Sequence, residues 1–108
     1  MRTQNKIYVL HANICKALGH AVRIEIIDIL GNKEMTFGTL LEKIGGPKSN
    51  LSQHLTSMTT KGILLQRKEG LNVYYKLSSK KVSFACRTMR EVLMDNLKKQ
   101  NKMIKNII

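Results

Sequence analysis

Along most of the chain, apolar residues recur every three or four positions; in two short stretches they crowd together instead. From residue 5 to 18, Ile7, Leu10, Ile14 and Ala17/Leu18 fall at three- and four-residue steps, the stripe of an amphipathic helix. Gly19-His20 breaks it. AVRIEIIDIL then places Val22, Ile26, Ile27, Ile29 and Leu30 on most sides of a second helix, which suits the middle of a core. Gly31-Asn32 ends that helix with residues that tolerate positive φ.

Thr36 is the expected N-cap of a short helix, FGTLLEKI, that stops at Gly45-Gly46. Pro47 suits the first turn of the next helix, where a missing N–H costs nothing. There Leu51, Leu55 and Met58 form a narrow seam at i, i+4, i+7, and Gly62 closes the element. Two short helices across a tight glycine turn make a helix-turn-helix. Beyond it, ILLQRK and VYYKL read as strands joined by Glu69-Gly70-Leu71-Asn72 into a β-hairpin. Ser78 or Ser79 caps a last helix, whose stripe of Val82, Ala85/Cys86, Met89, Val92/Leu93 and Leu97 repeats like a coiled-coil seam. The predicted architecture is mainly α with a small β-hairpin: four helices, the hairpin, a fifth helix, in one domain over residues 1–108. Its last stretch, 99–108, reads as a frayed basic tail.

Charge narrows the partners. A formal net charge of +12 on 108 residues attracts polyanions, so nucleic acid and anionic surfaces come first. The absence of Trp and the few other aromatics disfavour a stacking platform for single strands. The distribution says more than the total. No carboxylate occurs between Lys43 and Lys68, a segment that carries Lys43, Lys48, Lys61, Arg67 and Lys68.

Within it, the helix from 48 to 60 presents Lys48, Ser49, Asn50, Ser52, Gln53, His54, Thr56 and Ser57. Ser, Thr and Asn are mediocre helix formers, so propensity does not account for them. Short donors and acceptors on an acid-free helix suit the major groove of double-stranded DNA, where Asn and Gln pair with adenine edges. Arg67, Lys68 and Asn72 would lie beside it on the hairpin, with cations toward the backbone or minor groove. A solvated face that touches nothing is the plain alternative. The helix-turn-helix and the basic hairpin together outweigh it.

Other classes fit less well. Seven carboxylates, no phosphate-cradling glycine loop and no nucleophile elbow leave little for an enzyme. No apolar run of 18 residues spans a membrane, and the N-terminus is no secretory signal. LKKQNKMIKNII could lie on anionic lipid through its interspersed apolar residues. Cys15 and Cys86 make no disulfide framework, which implies a reducing, cytoplasmic setting.

ALGHAVRIEIIDIL followed by SNLSQHLTSMTTKGILLQRKEGLNVYYKLS resembles the ArsR/SmtB family of winged-helix repressors over roughly residues 12 to 95. The family typically shows an ALxxxxRxxIL helix, an SQHL or SRHL recognition helix and an RxEGxxxYY.L wing. The resemblance implies a homodimer, joined through the first and last helices, that binds an inverted-repeat operator and releases it when an effector arrives. It puts Ser49, Asn50, Ser52, Gln53 and His54 among the DNA contacts, and Arg67, Lys68 and Asn72 on the wing.

The sequence departs from the family's effector sites. MTFGTLL has no thiol where the arsenic and cadmium type has Cys-x-Cys. KVSFACRTMREVLMDNL has no His where the zinc type has His-x-x-His/Glu. RIEIIDIL has no Cys where the persulfide-sensing type has one. Cys15 and Cys86 remain, on the first and last helices. They are open to three readings: small core hydrophobes, a thiol or polysulfide switch, or a soft-metal or arsenite site with His11 four residues before Cys15. No cofactor is required, and an effector-independent DNA binder is a further alternative.

Overall fold

A computed structural model of the protein describes residues 3–100, with side chains from residue 5. The order is α1 (Thr3–Ala17), α2 (Ala21–Leu30), β1 (Met35–Thr36), α3 (Phe37–Ile44), α4 (Lys48–Thr60), β2 (Leu64–Glu69), β3 (Asn72–Leu77) and α5 (Lys80–Gln100). The expected tail lies outside the described residues from 101 onward; residues 99 and 100 close α5.

Local chemistry explains the boundaries. The Thr36 hydroxyl accepts the Thr39 N–H at 3.1 Å, satisfying one of the donors that open α3. Gly45 takes φ 79° just after α3, a backbone that glycine adopts without strain. Pro47 stands one position earlier than expected, as the N-cap of α4, and no side chain caps that helix. At the head of α5 the Ser79 hydroxyl accepts the Lys81 N–H at 3.1 Å.

The hairpin is tighter than the sequence suggested. Glu69 and Asn72 pair with each other, so only Gly70-Leu71 form the turn, with Gly70 at φ 62°, as two-residue hairpin turns demand. A third strand was not foreseen. Met35 and Thr36 pair antiparallel with Tyr75 and Tyr74, giving a sheet in the order β1-β3-β2. Two residues show no alternation to read, and the strand exists because β3 offers a free edge.

The core is the one the periodicity pointed to. Ile26, Ile27 and Leu30 of α2 pack with Leu40 of α3, Leu51, Leu55 and Met58 of α4, and Leu64 of β2, all at most 2 % exposed. At roughly 1.5–3 kcal/mol for each fully buried apolar side chain, this cluster holds the helix-turn-helix and the sheet as one body. The long outer helices behave differently. Among the described side chains, α1 buries only Ala17, and α5 buries Ser83 and Leu97. Ile7, Tyr8, Val9, Leu10 and Ile14 on α1, with Phe84, Met89, Val92 and Leu93 on α5, remain 38–69 % exposed.

Candidate nucleic-acid interface

α4 is seated by its seam and presents the rest of its surface. With Leu51, Leu55 and Met58 turned into the core, Lys48, Ser49, Asn50, Ser52, Gln53 and Thr56 are all exposed. No acid lies in its first turn. Its uncapped N-terminus therefore leaves N–H groups and the positive end of the helix dipole free for an anion. The hairpin carries Lys68 and Asn72, both exposed, on either side of the turn, and Leu71 at the tip is fully exposed.

Two residues expected among these contacts are held elsewhere. His54 is half-buried, and its Nδ1 accepts a hydrogen bond from Arg23 Nε at 3.0 Å. His20 meets it edge-on, with ring centroids 5.6 Å apart. The reading that His54 faces the groove is thereby corrected: the ring turns toward α2. The seam gives the reason. His54 lies three residues after Leu51 and four before Met58, which is the buried side of the helix. Burial first, then the charge of Arg23 and then His20, lower its pKa below the ordinary 6.5.

Arg67 sits on β2 with its guanidinium clamped. Nε and Nη2 donate to the two Glu34 carboxylate oxygens at 2.9 and 2.8 Å. Nη1 donates to Glu69. The cation also lies 4.2 Å from the ring centroid of Tyr74, its direct cross-strand partner. These hydrogen bonds hold the Glu34 carboxyl below its ordinary range. Of the expected wing cations, Lys68 is the one outside this clamp. Glu34 carries no sequence signal, and Arg23 enters the sequence only as the Arg of the ALxxxxRxxIL pattern; the role of each is hidden because it meets its partner more than 30 residues away.

Cys15 and Cys86 come to the same place. With His11, Leu18, Ile24, Ala85, Met89, Arg90 and Leu93 they line a cavity of about 510 Å³ among α1, α2 and α5. Cys15 is exposed and Cys86 half-buried, both unpaired. Burial raises the Cys86 pKa, and Arg90, one turn further along α5, only partly offsets it. The guanidinium next to it in sequence, Arg87, is not the one that acts. Among the described residues no group of three or more His, Cys, Asp and Glu could hold a metal ion. No described helix is long and apolar enough to cross a membrane.

A family model described as a helix-turn-helix domain matches residues 18–67. The HTH-type transcriptional regulator Rv0081 of Mycobacterium tuberculosis is 31% identical over 88 residues, covering 81% of this chain and 77% of that protein. The chain belongs to the ArsR/SmtB-type helix-turn-helix regulators. Members of this family are DNA-binding transcriptional regulators rather than enzymes, and this chain is one of them. The crystal structure of Rv0081 superposes with a TM-score of 0.79 at 29% identity, covering 87% of this chain and 95% of that one. Reduced HlyU from Vibrio cholerae gives 0.73 at 27% identity over 85% and 97%. The homodimeric winged helix-turn-helix domain of Mb0332 from Mycobacterium bovis gives 0.80 at 22% identity over 90% of each chain, a likeness of fold. The winged arrangement of this ArsR-type chain is thus shared with solved regulators along most of its length.

Proposed function

We propose that the protein is a homodimeric repressor that reads an inverted-repeat operator with α4 and is released by a thiol-reactive effector acting on Cys15 and Cys86. The observation that carries the DNA reading is the exposed, acid-free face of Lys48, Ser49, Asn50, Ser52, Gln53 and Thr56 on a helix anchored from behind by three buried side chains. Asn50 and Gln53 are the base readers, since their amides match adenine edges; Lys48, Ser49 and Lys68 are suited to phosphate.

Dimerisation follows from the apolar faces of α1 and α5. Nine large apolar side chains left in water on two adjoining helices form the kind of patch that a soluble chain covers with a partner. Two-fold symmetry then sets two α4 helices about one DNA turn, ~34 Å, apart. Mb0332, of the same fold, is homodimeric.

The shared cavity supports the thiol reading over two unrelated core cysteines. Joining the two thiols removes two electrons and two protons, which a polysulfide or peroxide accepts. Exposed Cys15 is oxidised first. Cys86 then loses its proton and its sulfur attacks the oxidised Cys15 sulfur, expelling sulfide (from a polysulfide) or hydroxide (from a peroxide). Burial, which raises the Cys86 pKa, makes this second step the slow one. A soft-metal site is less well supported, since His11, Cys15 and Cys86 do not form a ligand cluster in one protomer.

The test is an anisotropy titration with DNA from upstream of the protein's own gene. It is run reduced, polysulfide-treated, and with arsenite, cadmium or zinc, beside Cys15→Ser and Cys86→Ser. Release by polysulfide only when both cysteines are present supports the proposal. Release by a metal or arsenite favours the second reading. Identical binding throughout makes the cysteines core residues.

A further inference from the structure

Arg23 stands between two parts of the protein that share no other side-chain hydrogen bond among the described residues. From α2, its Nη1 donates at 3.0 Å to the carbonyl of Ala17, the last residue of α1. Carbonyls at a helix C-terminus have no intrahelical donor, so this contact fixes the end of α1. Its Nε donates at 3.0 Å to Nδ1 of His54, in the middle of α4. A guanidinium can only donate, so Nδ1 must be the bare nitrogen and the ring proton sits on Nε2. His20, in the turn between α1 and α2, meets the same ring edge-on, with centroids 5.6 Å apart. Cys15, two residues before Ala17, lines the thiol cavity. Gln53 immediately precedes His54 on α4, and Asn50 lies one turn before it.

We propose that Arg23 is a positioning residue, not a phosphate contact: it locks the end of α1 to His54 and thereby sets the seating of the recognition helix, and through it a change of packing at the Cys15/Cys86 cavity reaches the DNA-reading face. The second half rests on the cavity being where the effector acts; the first half stands on the two hydrogen bonds alone. The planar fork matters because Nε and Nη1 engage two helices at once. A lysine ammonium at the same place keeps the charge and loses this geometry. The route is short. Anything that displaces the last turn of α1 moves the Ala17 carbonyl, strains one arm of the fork and tilts the other against His54.

The experiment uses the full chain and a duplex selected from a random pool by the wild-type protein, with a scrambled duplex as the non-specific reference. Arg23→Gln, Arg23→Lys, His54→Phe and the Arg23→Gln/His54→Phe pair are titrated across salt, with thermal unfolding of each to confirm a folded state. Each single variant is expected to lose about tenfold in affinity for the selected duplex while binding the scrambled duplex as before. The double variant should lose no more than the worse single one, the sign of a shared interaction. The salt slope should stay at the wild-type value. A slope shallower by about 0.9 for each protomer in Arg23→Gln, with Arg23→Lys at full affinity, would make Arg23 a phosphate contact and overturn the proposal; so would strictly additive losses. Alkylating Cys15 with iodoacetamide separates the two halves. Wild type should lose affinity for the selected duplex and Arg23→Gln should not respond further. An equal response in both overturns the transmission. No response in wild type overturns the cavity as effector site, and the double-variant cycle still decides the positioning role.

Discussion

Arg67 and Glu34 form a two-pronged ion pair, at 2.9 and 2.8 Å, that joins the wing to the turn before β1. With Glu69 on the remaining nitrogen, this arginine faces two carboxylates, and the cluster carries no surplus positive charge. Of the two cations near the hairpin tip, Lys68 is therefore the one left to pull on DNA. Arg67→Ala should leave the slope of log affinity against log salt close to wild type, whereas Lys68→Ala should flatten it by about 0.9 for each protomer. Anisotropy titrations across salt separate the two.

The two thiols should differ in reactivity. Cys86 is half-buried and its pKa is pushed above the ordinary 9.0, while Cys15 is exposed. Under limiting iodoacetamide near neutral pH, peptide mass spectrometry should find Cys15 carboxamidomethylated well before Cys86. Dimerisation through α1 and α5 would slow both without reversing the order.

His54 should make stability depend on pH. Its folded pKa lies below the ordinary 6.5, so between the two values the unfolded chain binds more protons than the folded one. The stabilisation is complete above about 6.5 and is lost as pH falls from there through the folded value. Urea midpoints measured from pH 7.5 to 5 should fall for wild type, and less for His54→Phe.

Leu55 is fully buried beneath the recognition helix. Leu55→Ala removes core packing and should cost about 2–5 kcal/mol, read as a lowered urea midpoint. Gln53→Ala, on the exposed face of the same helix, should stay within ~0.5 kcal/mol of wild type. The pair distinguishes loss of fold from loss of a DNA contact.

Much of the fold was written in local patterns. The seam of Leu51, Leu55 and Met58, the Thr36 cap and the glycine turn at 45–46 depend on neighbours in sequence, and the structure has all three. β1 was not legible because two residues carry no period. The stripe on α5 was legible as a seam, yet most of it faces outward, since spacing reports an apolar face without saying what covers it. The site was half legible. Exposed residues of α4 follow from helix geometry; His54 sits on the Leu51–Met58 stripe, where its polarity masks its inward position. The clamps on Arg67 and His54 join residues 33 and 31 apart; no local pattern encodes them.

The central claim is that the exposed face of α4 reads duplex DNA by sequence. Its most direct test compares wild type with Gln53→Ala and Asn50→Ala on the wild-type-selected duplex and on the scrambled one at a fixed salt concentration. Each variant should lose roughly 1–3 kcal/mol for each protomer, five- to more than a hundredfold per half-site, on the selected duplex, with binding to the scrambled duplex unchanged. Equal losses on both duplexes, or none on either, would contradict the claim and place sequence recognition away from α4.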